Sequence, residues 1–353
     1  MKPEMTHRER ILAAINHQPC DRVSTDYWGV AEITQKLMRL YGVTDMLGLA
    51  KSLDIDKIMG VDPVMKPGER RGMWDIEMKK IPLPGGAGYY DEPVSHPLAD
   101  YETIDEIEAN YVWPTTDMFD YSTIREQCEL YHKENFAVEG GYISLSYFYE
   151  MVRGTEQMLI DFAAEEELAE YILFKLNEFA AAHTKRILEE AGGLVDITQV
   201  TDDFGTQSSL IMGEAMIERY FGKYYESNIA MAKSYGAKVF HHDDGAITGI
   251  IPWLEEKGCQ ILNPLQWHLP GWDLSELKRK FGDKLCFHGG IDNQEVLPFG
   301  DEKKVKAEVE ACIDALYTDK TGFILAPCHN VQAITPVENI LVMYKHAREY
   351  AKQ

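Results

Sequence analysis

Eight short runs of β-forming residues recur along this chain, and segments with helical periodicity separate them. Such alternation predicts parallel strands joined by helical crossovers, because parallel neighbours cannot be linked by a tight turn. Eight strand–helix units within 353 residues fit an α/β fold of the (β/α)8 TIM-barrel type. The predicted strands are Val23–Tyr27, Lys57–Val61, Phe136–Ile143, Val195–Thr201, Ala237–His242, Cys259–Asn263, Lys284–His288 and Gly322–Pro327.

A doubly wound sheet is the rival architecture. Its first strand usually ends in a Gly-rich phosphate-binding loop, and Gly29-Val30-Ala31 does not provide one. One interval breaks the alternation: residues 70–97 hold two β-like arms around a Pro/Gly turn, which predicts a β-hairpin inserted after the second strand. Because no internal repeat or low-complexity linker is visible, residues 1–353 are predicted to form one barrel domain that contains this hairpin.

The charge balance restricts the partners. The chain has 35 basic and 58 acidic residues, and the resulting formal charge of -23 repels nucleic acid and anionic membranes. No apolar run approaches the length of a membrane span, and the amino terminus leads directly into a polar helix without a signal region. The six cysteines form no CxxC pair, so we expect reduced thiols in a cytoplasmic protein.

Polar side chains follow most of the predicted strands. In a TIM barrel the carboxyl ends of the strands meet at one mouth, where active sites are built, so this pattern favours an enzyme over a purely structural barrel. In chain order these side chains are Asp26, Asp202, Asp203, Gln207, His242, Asp244, Asn263, Gln266, His288, Asp292, Cys328, His329 and Asn330.

Two of these clusters predict a metal site. His242 and Asp244 are two residues apart at a strand end, so they can point to the same side. Cys328 would complete a mixed N/O/S ligand set of the kind that suits zinc. Each His or Cys taken alone is more often a packed or hydrogen-bonded residue than a ligand, and that alternative stays open.

The remaining candidates concern the substrate and the proton. Asp203, His329 and Asp26 are candidate catalytic acids. Asp202 and Asp203 can equally cap the following helix or contact the substrate. The aromatic residues among the candidates predict an apolar wall for a ligand, although they can also be core residues. The polar residues at other strand ends predict polar contacts with the ligand. These candidate substrate-binding residues are Tyr27, Trp28, Phe204, Gln207, His288 and Asn330.

Six segments carry a family resemblance: Arg8–His17, Cys20–Val23, Asp202–Gln207, His242–Gly245, Gly289–Asp292 and Thr335–Asn339. Together they resemble the uroporphyrinogen decarboxylase-like superfamily, and the resemblance spans nearly the whole chain. It implies a (β/α)8 barrel. It also implies one of two activities, because the superfamily contains true porphyrinogen decarboxylases and zinc-dependent methyltransferases that work with corrinoid proteins.

The resemblance to the decarboxylase branch is the weaker one. Its members grip the porphyrinogen carboxylates with an Arg-rich early loop, where this chain has Asp26–Val30. Thiol-directed methyltransferases hold zinc through His-x-Cys, a later Glu and a final Cys, and His242 and Cys328 match two of these positions. Asp244 replaces the first Cys, and Gln266 stands near the Glu. A carboxylate in place of a thiolate makes the metal harder and better suited to polarising an ether oxygen.

We therefore expect a zinc-dependent methyltransferase that moves a methyl group from a small O-methyl compound, a methyl ether, to a Co(I) corrinoid. The chain lacks the Asp-x-His-x-x-Gly signature of cobalamin binding, so the corrinoid should belong to a separate partner protein. The alternatives are a methyl-corrinoid:thiol methyltransferase, a metal-free decarboxylase or lyase that uses Asp26 or Asp203 as its acid, and a non-catalytic ligand-binding barrel. Whether the chain forms a homodimer stays open.

Overall fold

Eight parallel strands curl into a barrel in the computed structural model, which describes residues 4–68, 72–82 and 88–351. Consecutive strands pair from the second to the eighth, and the first pairs with the eighth, so all eight predicted strands and the barrel order are confirmed. The strands are β1 (Ser24–Thr25), β2 (Met59–Val61), β3 (Val138–Ser144), β4 (Ile197–Thr201), β5 (Lys238–His242), β6 (Ile261–Asn263), β7 (Cys286–Ile291) and β8 (Phe323–Pro327).

Helices cover the outside of the barrel, so the strands are buried on both faces, as parallel strands usually are. The helical segment after the third strand is divided into two helices, because the backbone of Glu165 leaves the helical range at φ -119° and ψ 57°. The helices are α1 His7–Ile15, α2 Ala31–Tyr41, α3 Met46–Leu53, α4 Ile104–Asn110, α5 Ile124–Lys133, α6 Leu145–Arg153, α7 Thr155–Ala164, α8 Glu166–Ala191, α9 Glu214–Ser234, α10 Ile251–Lys257, α11 Leu274–Phe281, α12 Val296–Phe299, α13 Glu302–Leu316 and α14 Val337–Tyr350. Among the described residues, none of these helices has both the length and the apolar character that crossing a bilayer requires.

The predicted hairpin follows β2 as an antiparallel pair, Met78–Pro82 with Tyr89–Pro93. Positions 70, 71 and 83–87 of the predicted insertion lie outside the described residues. The hairpin reaches the barrel mouth, where the Tyr90 hydroxyl accepts a hydrogen bond from Nε2 of Gln332 at 3.1 Å. It is therefore part of the wall above the strand ends.

A buried carboxylate closes the barrel between β1 and β2, which are the two ends of the hydrogen-bonded strand order. The Asp56 backbone N–H donates to the carbonyl of Thr25 at 3.0 Å, and the Asp56 carboxylate accepts the Thr25 N–H at 3.0 Å. Two guanidinium groups, Arg10 at 2.5 Å and Arg22 at 2.8 Å, also bind this carboxylate. All three side chains are almost completely buried, so the ion pairs have little screening from water.

Replacing Asp56 with Ala should leave Arg10 and Arg22 buried without their common counterion. We expect the free energy of unfolding to fall by about 3–5 kcal/mol, the usual cost of breaking a buried ion pair from one side. Urea unfolding followed by circular dichroism measures it. Glu129→Ala, which removes an exposed i,i+4 partner of Arg125, is the control and should leave stability unchanged. Equal stability of the Asp56→Ala variant and the parent would contradict the role of Asp56 in closing the barrel.

Candidate functional site

Three side chains at the carboxyl ends of β5 and β8 form a group that can hold a metal ion: His242, Asp244 and His329. Their ligand atoms all lie within 4.8 Å of one another, and Nε2 of His329 is 3.8 Å from Oδ2 of Asp244. Oδ1 of Asp244 is buried and has no hydrogen-bond partner among the described residues. Two imidazole nitrogens and one carboxylate oxygen are a donor set of catalytic zinc sites, which leave a fourth position open. The residues present therefore fit zinc.

The loop after β5 has the shape that the group requires. His242 ends the strand, and Gly245 takes a positive φ of 106° at the turn. A Cβ at Gly245 would lie 2.5 Å from the carbonyl oxygen of Thr206, so only glycine fits there. The Gly245 N–H donates to Oε1 of Gln266 at 2.5 Å. Gln266, predicted as a ligand, therefore has its oxygen occupied by the loop that carries Asp244.

A series of hydrogen bonds across the barrel orients His242. Its Nδ1 lies 2.5 Å from Oδ1 of Asn263, whose Nδ2 lies 2.7 Å from Nδ1 of His288. Nε2 of His288 lies 3.0 Å from Oδ2 of Asp26. The Asn263 oxygen can only accept, so His242 must carry its proton on Nδ1 and present the Nε2 lone pair. Such an outer partner is the usual support of a metal-binding histidine.

Asp26 is the last group in this series, and its carboxyl is ionised. Burial alone would raise the pKa of this carboxyl, but the Lys57 ammonium at 3.2 Å and the hydrogen bond from His288 hold it well below its ordinary value. A carboxylate that stays ionised cannot donate a proton near neutral pH. The geometry therefore does not support the role of acid predicted for Asp26. His288, predicted as a substrate contact, is fully buried, and both of its ring nitrogens have hydrogen-bond partners.

Trp28 lies beside the candidate metal ligands. Its Nε1 donates to Asp26 at 3.1 Å, and its ring centroid lies 5.3 Å from that of His242 and 6.4 Å from that of His329. The pairing of β1 with β8 continues here, because the Val331 N–H donates to the carbonyl of Trp28 at 3.0 Å. Trp28 thus packs beside the candidate ligands, and its role as an apolar ligand wall stays a prediction.

Cys328 does not join the group. Its thiol is buried, donates to the carbonyl of Leu265 at 3.3 Å, and has a pKa raised well above the ordinary value by burial. The neighbouring His329, predicted as an acid, contributes the third donor instead. The strand ends at Pro327, and the bend that follows it turns the Cys328 thiol towards Leu265 while His329 lies beside Asp244.

Two predicted substrate contacts, Tyr27 and Phe204, have their side chains packed away from the mouth, and a third, Asn330, takes part in hydrogen bonds through its backbone. The Tyr27 hydroxyl binds Oγ1 of Thr34 at 2.9 Å, behind the barrel wall. Phe204 is fully buried against Phe221 and other aromatic rings. The carbonyl of Asn330 is occupied by side-chain amides. Tyr27 and Phe204 are each adjacent in sequence to a residue that faces the mouth, so their own side chains point the other way. The sequence alone does not show which of two adjacent side chains faces the mouth.

Two cavities open beside the three candidate ligands, and both border Tyr90 and His329. The larger has a volume of about 750 Å³ and contains His242 in its wall. The smaller has a volume of about 320 Å³ and contains Asp244. Among the described residues, neither wall contains Lys or Arg. Carboxylates and tyrosines line the larger cavity, namely Asp91, Glu92, Glu150, Asp203, Tyr142 and Tyr147.

Asp203 is the carboxyl best placed to give a proton. It is exposed to the larger cavity, where it shares the wall with His242 and His329. The surrounding protein raises its pKa by desolvation, and the negative charges of Asp244 and Glu150 add to the rise although His242 opposes it. Its prediction as a candidate acid therefore agrees with its position and its environment.

Sequence reasoning missed several parts of this site. Three residues of the larger cavity lie in and after β3, namely Tyr142, Tyr147 and Glu150. The sequence there is mostly apolar and contains no motif typical of a functional site. The register shift between Glu139 and Tyr142 marks an irregular strand, which is a structural signal only. Glu139 itself accepts a hydrogen bond from Gln199 at 2.6 Å, and burial raises its pKa to about 7.

Comparisons with known proteins agree with this fold. The family model described as uroporphyrinogen decarboxylase (URO-D) matches residues 124–350, more than half of the chain. A curated uroporphyrinogen decarboxylase from Dechloromonas aromatica (strain RCB) is 25% identical over 103 residues, which are 28% of this chain. The chain spans only 27% of that relative's length.

Among solved structures, a methyltransferase from Methanosarcina mazei matches with a TM-score of 0.73 at 16% identity, covering 98% of this chain and 99% of the other. At that identity the likeness is one of fold. A B12-independent methionine synthase from Shewanella sp. W3-18-1 matches with a TM-score of 0.41 at 11% identity, covering 78% and 74% of the two chains.

Asn263→Ala removes the group that fixes the proton of His242. We expect zinc affinity to fall about 10–100-fold, the usual effect of losing an outer partner of a histidine ligand. Competition with a chromophoric chelator measures the affinity. Asn293→Ala, which removes an amide of the smaller cavity that bonds the Asn330 carbonyl, is the matched control. Unchanged zinc affinity in Asn263→Ala would mean that the hydrogen-bonded series does not orient a ligand.

Proposed function

Because this chain belongs to the uroporphyrinogen decarboxylase family, we propose that it is a zinc-dependent methyltransferase of that family, which moves a methyl group from a small methyl ether to the Co(I) corrinoid of a partner protein. The observation that carries the proposal is the group of His242, Asp244 and His329 beside two cavities. A site of this kind gives an ether oxygen a place to bind next to the ligands.

The charge of the walls argues against decarboxylation of a porphyrinogen. Such a substrate carries many carboxylates and needs Arg or Lys partners. The described walls of both cavities contain no such residue, whereas the larger one contains Asp91, Glu92, Glu150 and Asp203. Bringing a polycarboxylate into this environment would add repulsion without compensation.

Zinc, when bound, would supply a Lewis acid for the ether oxygen. His242 and His329 would hold it as neutral imidazoles. Burial, opposed by Asp244, lowers the pKa of His329, which favours its neutral form. Asp244 would provide a harder donor than the thiolate of the thiol-directed enzymes. This donor set supports cleavage of a carbon–oxygen bond over activation of a soft thiol.

The proposed reaction needs few further groups from the chain. The bond between the methyl carbon and oxygen breaks, a bond between that carbon and cobalt forms with the electron pair of Co(I), and the departing oxygen takes up a proton. Asp203 faces the larger cavity beside His242 and can provide that proton. Trp28 limits the space next to His242 and helps to hold the methyl group in line.

The partner corrinoid protein would approach the open mouth of the barrel beside the hairpin. The larger cavity opens there, and Asp91 and Glu92 of the hairpin lie in its wall. With a formal charge of -23, the chain would favour a partner with basic residues around its cobalamin. Docking through exposed charges should weaken as salt rises.

Zinc analysis of three proteins tests the ligand set. We expect about one zinc per chain in the parent and in Cys328→Ala, because the Cys328 thiol faces Leu265. His329→Ala should lose most of its zinc, because it removes one of three donors. Metal content of protein purified without chelator is the measurement. Zinc lost from Cys328→Ala but retained by His329→Ala would contradict this ligand set, and absence of zinc from all three would favour a metal-free reaction.

The activity test mixes the chain with a reduced corrinoid protein and a panel of methoxylated compounds. We expect the visible spectrum to change from Co(I) to methyl-Co(III), and His242→Ala to abolish that change. Asp203→Asn should retain zinc and slow the reaction about 10²-fold or more, the usual range for loss of a general acid. Rapid demethylation of methyl-Co(III) by a thiol, with no ether accepted, would instead identify a thiol-directed transferase.

A partner affinity equal at low and high salt would contradict electrostatic docking.

A further inference from the structure

The larger cavity beside the candidate metal ligands has an aromatic wall, formed by Tyr90, Tyr142 and Tyr147. Tyr142 and Tyr147 are 39% and 36% exposed, and the cavity that they line has a volume of about 750 Å³. Both rings contact the buried ring of Phe148, at centroid distances of 5.7 and 6.1 Å. A ligand in this cavity can therefore reach tyrosine rings that the core holds in place.

The same cavity is negatively charged and has no counterion in its wall. Four carboxylates lie there, and among the described residues the wall contains neither Lys nor Arg. Glu150 accepts a hydrogen bond from the Thr155 hydroxyl, a neutral partner that leaves its charge uncompensated. A positively charged ligand would supply the missing counterion. The carboxylates are Asp91, Glu92, Glu150 and Asp203.

Tyr147 lies where the aromatic and the acidic parts of the cavity meet. Burial raises the pKa of its hydroxyl, and the negative charges of Asp203, Glu150 and Glu92 add to the rise. Tyr147 and Glu150 are three residues apart on α6, so their side chains lie on the same face of that helix. In the part of the chain that the structure describes, no Lys or Arg lies over the ring of Tyr142 or Tyr147.

This combination suits an organic cation better than a metal ion. Within the described residues, the group that can hold a metal is His242, Asp244 and His329, and it includes none of the four carboxylates of the cavity. Aromatic rings attract a large cation through their negative faces, and quaternary ammonium groups are the usual ligands of aromatic cages. The volume of the cavity is in the range for small organic molecules.

We propose that the aromatic wall, together with Glu150, binds an ammonium group of the methyl donor. This inference rests on the proposed function and narrows its substrate class to small methyl ethers that carry an alkylated ammonium group. His242 and His329 border the same cavity, so one molecule can place its ammonium group at the aromatic wall and its ether oxygen at the metal. Tyr147 and Glu150 would then determine specificity.

Direct binding of matched pairs to the full chain tests this inference, and ligand-observed NMR titration measures it. One pair is (2-methoxyethyl)trimethylammonium and 1-methoxy-3,3-dimethylbutane. The other is (4-methoxybenzyl)trimethylammonium and 4-neopentylanisole. Within each pair the molecules have the same shape, and a carbon atom replaces the charged nitrogen. We expect the parent to bind the ammonium member of at least one pair about 10-fold more tightly.

Variants separate the charge and the aromatic ring from effects on structure. Glu150→Gln removes the charge but keeps an acceptor for Thr155, and Tyr147→Leu removes the ring. Each should reduce the preference about 5-fold. Tyr147→Phe keeps the ring and should retain the preference. Glu126→Gln is the matched control, because it removes the same charge from the exposed surface of α5, outside the cavity.

Two results with these variants would overturn the proposal. An equal loss of preference in Tyr147→Phe and Tyr147→Leu would mean that the aromatic face does not bind the cation. An equal loss in Glu126→Gln and Glu150→Gln would mean that the acidic surface as a whole, and not this cavity, attracts it. The unfolding temperature of each variant, followed by circular dichroism, shows whether the fold is retained.

The outcomes distinguish this inference from the proposed function. If the parent binds both members of each pair equally, or binds neither ammonium compound, the inference is overturned whether or not methyl transfer occurs with a neutral ether. If the ammonium preference is present and falls in Glu150→Gln and Tyr147→Leu, the inference stands even if no methyl group reaches Co(I). In that case the proposed reaction fails alone.

Discussion

The hydrogen-bonded series from Asp26 through His288 and Asn263 to His242 holds the candidate site together. It crosses β7 and β6 inside the barrel, so neighbouring strands must keep their register for it to form. The ionised Asp26 at one end fixes the proton positions along the series. His288 donates to Asp26 through Nε2 and accepts from Asn263 through Nδ1, so the amide oxygen of Asn263 faces His242. The outcome is a lone pair on Nε2 of His242 at the barrel mouth.

Charge gives the site its second constraint. The described walls of the two cavities contain carboxylates without Lys or Arg, so negative charge is compensated only by imidazoles or by what binds there. A divalent cation would relieve this repulsion at Asp244, and a neutral ligand would not add to it. The same imbalance makes a polycarboxylate an unfavourable substrate, and it extends to the acidic surface of the whole chain.

The hairpin shows how an insertion contributes to such a site. The side chains of its two strands are all exposed or half-buried, so it has little stability of its own. Tyr90 nevertheless reaches Gln332 and lies in the walls of both cavities. An insertion that looks like an interruption of the barrel pattern therefore helps to define the space available to a ligand.

The strands could be predicted because each is a run of buried β-forming residues between helices, and the eight runs occur in the order in which they pair. That periodicity also located the mouth, since the polar residues of a barrel site follow its strands. The same periodicity could not predict the break at Glu165, where one helix ends and the next begins, because the residues on either side keep a helical pattern.

The sequence by itself determined the barrel and the strand ends that carry His242, Asp244 and His329. Only the tertiary structure decided that His329, and not Cys328, faces His242. The physical reason is that the alternation of side chains along a strand separates its two faces. It does not show which side chain faces the site once the strand has ended. Loop hydrogen bonds, such as that from Val331 to Trp28, set that choice, and they join residues about 300 positions apart in the chain.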